Sequence, residues 1–182
     1  MKDKMFEALV KSRTIVISEP VSSELVEKTT RLLTFMENES QTKPVTVLVN
    51  SPGGEAYSGL GLYDTLRFVR CPITVVVNGL CASAAVLVLL AVPKERRFSL
   101  PNSRFMIHQP SGGARGTSSD IQIEATEIKA LRSIYFKIIG EACGKDPEEA
   151  RKDADRDFWI NPEDARDYGL ISKVITQRGE ID

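Results

Sequence analysis

From Cys71 to Val92 the chain runs without a single charged residue, and no other feature limits its fold as strongly. As one helix, a run of this length would reach across a bilayer. Asn78-Gly79 and Ser83 interrupt it, however, and Ile73-Thr74-Val75-Val76-Val77 ahead of the glycine is strand-like. The run therefore reads as a buried strand broken by Gly79, then a buried helix from Ser83 to Ala91 with almost no polar face. A chain that hides both must cover them from two sides.

The flanking sequence supplies the covering layers. Thr14-Ile15-Val16-Ile17 reads as a strand, and Ser22 caps a helix that turns Val26, Leu32, Leu33 and Met36 to a core. Pro44 to Val49 is a second strand, ending at the breaker cluster Asn50-Ser51-Pro52-Gly53-Gly54. The next helix uses Leu60, Tyr63, Leu66 and Val69, and Phe98 and Phe105-Met106-Ile107 mark short strands around Pro101-Asn102. Continuous apolar strands between helices predict an α/β fold with a mostly parallel sheet covered on both faces.

Beyond the flexible Gly112 to Gly116, Ser119-Asp120-Ile121-Gln122 has the capping-box pattern that opens a long helix. Ile121, Ile128, Leu131, Tyr135, Ile138 and Ala142 keep helical spacing until Gly144, predicting a helix about 35 Å long. Ile134 and Ile139 widen its stripe, which points to burial against another subunit. Asp146-Pro147 and Asn161-Pro162 start short helices, Gly169 stops the second, and Val174-Ile175 forms a last strand. With no repeat or linker, residues 1–182 read as a single domain.

Charge and composition remove several functions. Lys and Arg number 24 against 25 Asp and Glu, and no basic stripe exists, which argues against a nucleic-acid footprint. The one histidine, His108, excludes multi-histidine metal clusters. Cys71, Cys81 and Cys143 are odd in number without C-x-x-C spacing, and Met1 to Glu7 has no apolar run. Neither a disulfide framework nor a structural zinc site is indicated, and a reducing cytoplasm is expected.

Three places carry candidate chemistry. Ser83 sits among Cys81, Ala82, Ala84 and Ala85 at a strand-to-helix junction, where small neighbours admit a substrate backbone and helix N–H groups can face a developing oxyanion. Packing is the plainer reading of such a serine. Pro52-Gly53-Gly54 offers bare backbone amides to a ligand or simply a tight turn. Dinucleotide G-x-G-x-x-G and Walker A patterns are absent. His108, ending an apolar strand before Pro110, lies where sheet enzymes put functional groups, or is a core histidine. A Ser/His pair needs an acid to orient the imidazole. The residues alone leave Asp153, Asp155, Asp157, Asp164 and Asp167 open.

Together these residues resemble a family. Asn50-Ser51-Pro52-Gly53-Gly54, Ala82-Ser83, Leu100-Pro101-Asn102-Ser103, Met106-Ile107-His108-Gln109-Pro110, Arg156-Asp157, Glu163-Asp164-Ala165 and Tyr168-Gly169-Leu170 closely resemble the proteolytic subunits of Clp proteases, the ClpP family, from about Ser12 onward. Serine and histidine are 25 residues apart, histidine and Asp157 a further 49. The resemblance implies a ClpP/crotonase-like spiral of β-β-α units with a handle helix protruding from about 111–143. It implies Ser83 as nucleophile, His108 as general base and acid, Asp157 as the orienting carboxylate, and the Gly54 and Ala84 amides as the oxyanion hole. Acyl transfer of this kind needs no cofactor and no metal, and one histidine can serve both proton transfers.

The resemblance further implies two stacked seven-membered rings around a chamber, interlocked by the handle helix, with Arg156 in an inter-ring contact. It implies an ATPase partner of the ClpX or ClpA/ClpC type that feeds unfolded proteins, docking at apical pockets lined by aromatic residues at subunit boundaries, Phe68 among them, while Leu48 stands at a strand position that is often Tyr. Two departures stand out. Ser83-Ala84-Ala85 replaces the family's Ser-Met-Gly, and the segment of about 1–11 is short for a propeptide plus axial loop. They raise the reading of a paralogue, structural or conditionally active, in a mixed ring with a second ClpP-like subunit. An acyl-CoA hydratase or isomerase of the crotonase type shares the fold by resemblance but has no need of the Ser/His/Asp set.

Overall fold

The structure, a computed structural model, describes residues 2–181. The first half holds α1 (Lys2–Lys11), β1 (Thr14–Ile17), α2 (Ser23–Glu39), β2 (Val45–Ser51), α3 (Ala56–Phe68), β3 (Ile73–Ala82) and α4 (Ala85–Leu90). The second holds β4 (Arg97–Ser99), β5 (Arg104–Ile107), α5 (Ser118–Cys143), α6 (Pro147–Asp153), β6 (Phe158–Ile160), α7 (Pro162–Tyr168) and β7 (Lys173–Val174). The opening segment, read from sequence only as short, is the helix α1.

β3 is the strand on which the sheet forks. On one side it pairs with β2, and β2 with β1, all in parallel. On the other, Val75 to Val77 pair with β4 while Leu80 to Ala82 pair with β5, again in parallel. β7 extends the β4 branch, and the antiparallel β6 closes the β5 branch. Parallel pairing covered by helices explains why these strands read as unbroken apolar runs.

The expectation that Gly79 ends the third strand is corrected here, because β3 continues to Ala82. β2 shifts register between Val49 and Ser51, and the Asn50 side chain takes the place of main chain there, accepting the Leu80 N–H at 2.9 Å. A Cβ at position 79 would collide with that carboxamide. The glycine admits a side chain and does not terminate the strand.

All six side chains of α4 are buried, and its five valines and leucines each stabilise the fold by roughly 1.5–3 kcal/mol relative to exposure. The uncharged run is thus a strand and a short central helix. Among the described residues no helix is long and apolar enough to cross a membrane. Arg97 is buried beside α4 and makes no ion pair among the described residues. Its guanidinium donates to the carbonyls of Val92 at 2.7 Å, Leu90 at 3.5 Å and Ala142 at 2.9 Å, tying the ends of α4 and α5 together. Burial holds its pKa below the usual arginine value.

Helix faces depart from the sequence reading by small rotations. α2 buries Leu25, Thr29, Leu33 and Met36, with Val26 and Leu32 at the margin. α3 buries Ser58, Gly59, Leu62 and Leu66, leaving Leu60 and Tyr63 half-buried. The capping box of α5 is Thr117 with Asp120, and not one begun by Ser119. At 26 residues α5 is about 39 Å long. It is buried only from Tyr135 onward, and the turns before that expose Ile121 and Ile123.

Candidate active site

Three parallel strands deliver their C-terminal ends to one place. β2 ends at Ser51 just before Gly53-Gly54, β3 runs into Ser83, and β5 runs into His108. Loops at this end of a parallel sheet are free to carry polar groups because the strands below are already paired.

Ser83 adopts a left-handed backbone, with φ +54, a conformation that costs a non-glycine residue on the order of 1–2 kcal/mol. Neighbouring elements hold it there. Its N–H donates to the Met106 carbonyl at 2.8 Å, and its carbonyl accepts from the Val86 N–H at 3.0 Å and the Tyr135 hydroxyl at 3.1 Å. The turn projects the side chain toward β5, where Ser83 Oγ lies 2.7 Å from His108 Nε2.

Antiparallel pairing of Ile107 with Phe158 sets His108 opposite Asp157 across the β5–β6 branch. His108 Nδ1 and Asp157 Oδ1 are 3.6 Å apart, with the imidazole 26% exposed and the carboxylate 61%. That separation is within ion-pair reach and longer than a hydrogen bond. Of the other four aspartates, Asp153, Asp164 and Asp167 have side chains engaged elsewhere, and Asp155 bonds only through its backbone. Asp153 accepts from the Tyr168 hydroxyl, the Asp155 carbonyl takes the Gln109 amide, Asp164 belongs to the α7 cap with Asn161, and Asp167 pairs with Arg166.

The glycine pair forms the facing wall. Gly53 has φ +87, and a Cβ there would stand 2.5 Å from the Ala82 carbonyl oxygen and 2.7 Å from the Ser83 Cβ. Only glycine allows the loop to lie so close to the serine. Gly54 bridges to Val21 through the bonds Val21 N–H to Gly53 O and Glu55 N–H to Val21 O, each 2.9 Å. Neither the Gly54 N–H nor the Ala84 N–H has a hydrogen-bond partner among the described residues. Both residues line a cavity of about 280 Å³ shared with Ser83, His108, Leu60 and Tyr135.

The alanines after Ser83 are buried, and the Ala84 Cβ packs toward Gly59 of α3, where an added side chain would meet it at 3.0 Å. A hydroxyl bonded to an imidazole, a carboxylate at the far ring nitrogen and two unspent amides on one wall can support general-base-assisted attack and receive the negative charge it creates. The structure therefore brings Ser83, His108, Asp157, Gly54 and Ala84 together. Arg156 is exposed and makes no ion pair among the described residues, Phe68 is 87% exposed, and Leu48 is half-buried on β2. Sequence reasoning missed two things. Tyr135, counted only as core stripe, reaches Ser83 with its hydroxyl, and the left-handed turn at Ser83 left no sequence signal beyond its small neighbours.

Comparison with known proteins points to one family. Residues 1–178 match the family described as Clp protease. The chain is 41% identical over 179 residues to the ATP-dependent Clp protease proteolytic subunit 2 of Treponema denticola, covering 98% of this chain and 90% of that one. Over 173 residues it is 42% identical to proteolytic subunit 3 of Rhizobium etli, covering 95% and 89% respectively. Among solved structures, a mutant of ClpP1 from Listeria monocytogenes superposes with a TM-score of 0.91 at 38% identity, covering 98% of this chain and 99% of that one.

Proposed function

The chain belongs to the Clp protease family, and from that premise we propose that it is a serine endopeptidase subunit whose nucleophile is Ser83, with His108 as general base and acid and Asp157 as the orienting carboxylate. The 2.7 Å contact between Ser83 Oγ and His108 Nε2 carries the reading. His108 takes the hydroxyl proton as Oγ attacks a peptide carbonyl. The Gly54 and Ala84 amides receive the oxyanion, and the protonated imidazole gives its proton to the leaving amine. Water, activated by His108, then cleaves the acyl-enzyme and frees Ser83.

The subunit works inside two stacked seven-membered rings in the cytoplasm, and α5 is the handle that joins them, with Arg156 contributing across the ring boundary. The isoleucines exposed on the outer part of α5 support that role. An unfoldase ATPase of the ClpX or ClpA/ClpC type delivers unfolded chains. Its docking site is supported by the exposed Phe68 and by an apolar recess of about 210 Å³ that includes Leu48, Val76, Leu100 and Ile175.

Substituting Ser83→Ala tests the mechanism. Peptidase activity of the purified assembly should fall by at least a thousandfold with its native mass unchanged, and retention of activity would remove Ser83 from the reaction. A second reading, a conditionally active partner in a mixed ring, is favoured by the 3.6 Å gap between His108 and an exposed Asp157. Under it, labelling of Ser83 by a fluorophosphonate is slow in the isolated chain and rises on mixing with a second ClpP-like subunit.

A further inference from the structure

We propose that Tyr135 is a positioning residue of the active site, holding Ser83 in its left-handed turn through the hydrogen bond from its hydroxyl to the Ser83 carbonyl. The inference rests on the reading of Ser83 as nucleophile. Tyr135 is 6% exposed, and its hydroxyl donates to Ser83 O at 3.1 Å. A purely apolar core position has no use for that hydroxyl, and burying one without a partner is unfavourable. Burial also pushes the phenol far above its usual pKa, so it remains a donor throughout the pH range of the protein.

Chain connectivity gives the contact its meaning. Ser83 is held at its N–H by Met106 of β5, two residues before His108, and at its carbonyl by Tyr135 of α5. The first bond fixes the serine relative to the imidazole. The second fixes the rotation of the peptide joining Ser83 to Ala84, whose N–H is one of the two free amides on the cavity wall. A peptide unit is planar, so holding its carbonyl oxygen aims its N–H in the opposite direction. The tyrosine hydroxyl thus orients the oxyanion donor without touching substrate through that atom. Tyr135 is also the first buried residue of α5, so the point where the long helix enters the body of the protein is the point that steadies the serine.

Tyr135→Phe removes the oxygen alone and leaves the ring, including its edge-to-face contact with Phe136 at 5.4 Å between centroids. In the full-length assembly, kcat on a fluorogenic peptide should drop roughly five- to twentyfold, as expected for one lost hydrogen bond at a strained site. KM, native mass and the shape of the pH–rate profile should stay as in the parent protein. Fluorophosphonate labelling of Ser83 should slow by a similar factor, and Tyr135→Leu should do no better than the phenylalanine variant. A kcat within twofold of the parent overturns the positioning role, as does a loss expressed in KM alone or in dissociation of the assembly. The parent failing to label at Ser83 overturns the nucleophile assignment and this inference with it, whereas equal labelling of parent and Tyr135→Phe overturns this inference alone.

Discussion

Gly53 and Ser83 press against one another so closely that each dictates what the other can be. The glycine takes φ +87 with the Ala82 carbonyl only 2.5 Å from where a Cβ would stand. Gly53→Ala must therefore displace the loop or the serine turn, lowering stability by roughly 2–4 kcal/mol and abolishing fluorophosphonate labelling. Denaturant unfolding and labelling of the same sample check both halves. Residue identities at this site were legible early: paired glycines after a strand, a serine among alanines, a histidine ending a strand. The acid was legible only through the family resemblance, because five aspartates share one stretch of chain and it is the pairing of β5 with β6 that sets Asp157 opposite the imidazole. The backbone of Ser83 was hidden, since its strain is imposed by Met106 and Tyr135, distant in sequence and next to it in space.

Elements were easier to read than their orientations. The cap at Ser22 precedes an apolar period, and those at Asp146 and Asn161 precede a proline in the first helical turn, while the buried faces of α2 and α3 are rotated from the expected ones. Half-buried side chains at a helix margin obey the same spacing as core ones, so periodicity gives the period more firmly than the phase. The continuation of β3 past Gly79 was likewise set by Asn50, thirty residues upstream of Leu80. At this scale Arg97 is the residue to test. Its guanidinium satisfies carbonyls at the ends of both α4 and α5, so Arg97→Met leaves those carbonyls without donors. A loss of roughly 2–4 kcal/mol is expected, seen as a lower urea midpoint and faster amide exchange near Ala142. Arg97→Lys, with one donor group in place of the planar fork, should recover only part of it.

For the whole molecule, the decisive contrast lies along α5: buried from Tyr135 onward, and bare before it, with Ile123 at 70% exposure. On the proposal that α5 joins two rings, Ile123→Glu should leave the thermal stability of each ring nearly intact while halving the native mass of the assembly, and native mass spectrometry reads this directly. The fold class was legible because strand composition and helix spacing agree at every step. The length of α5 signalled a partner as well, although no sequence names the surface it meets. On the proposed role of α5, the isoleucines it holds out in water make every chain an unsaturated ligand for its own copies. By mass action, the fraction of such helices covered rises steeply with chain concentration, so a cell that doubles its synthesis of this subunit alters how much of it is assembled as well as how much of it exists.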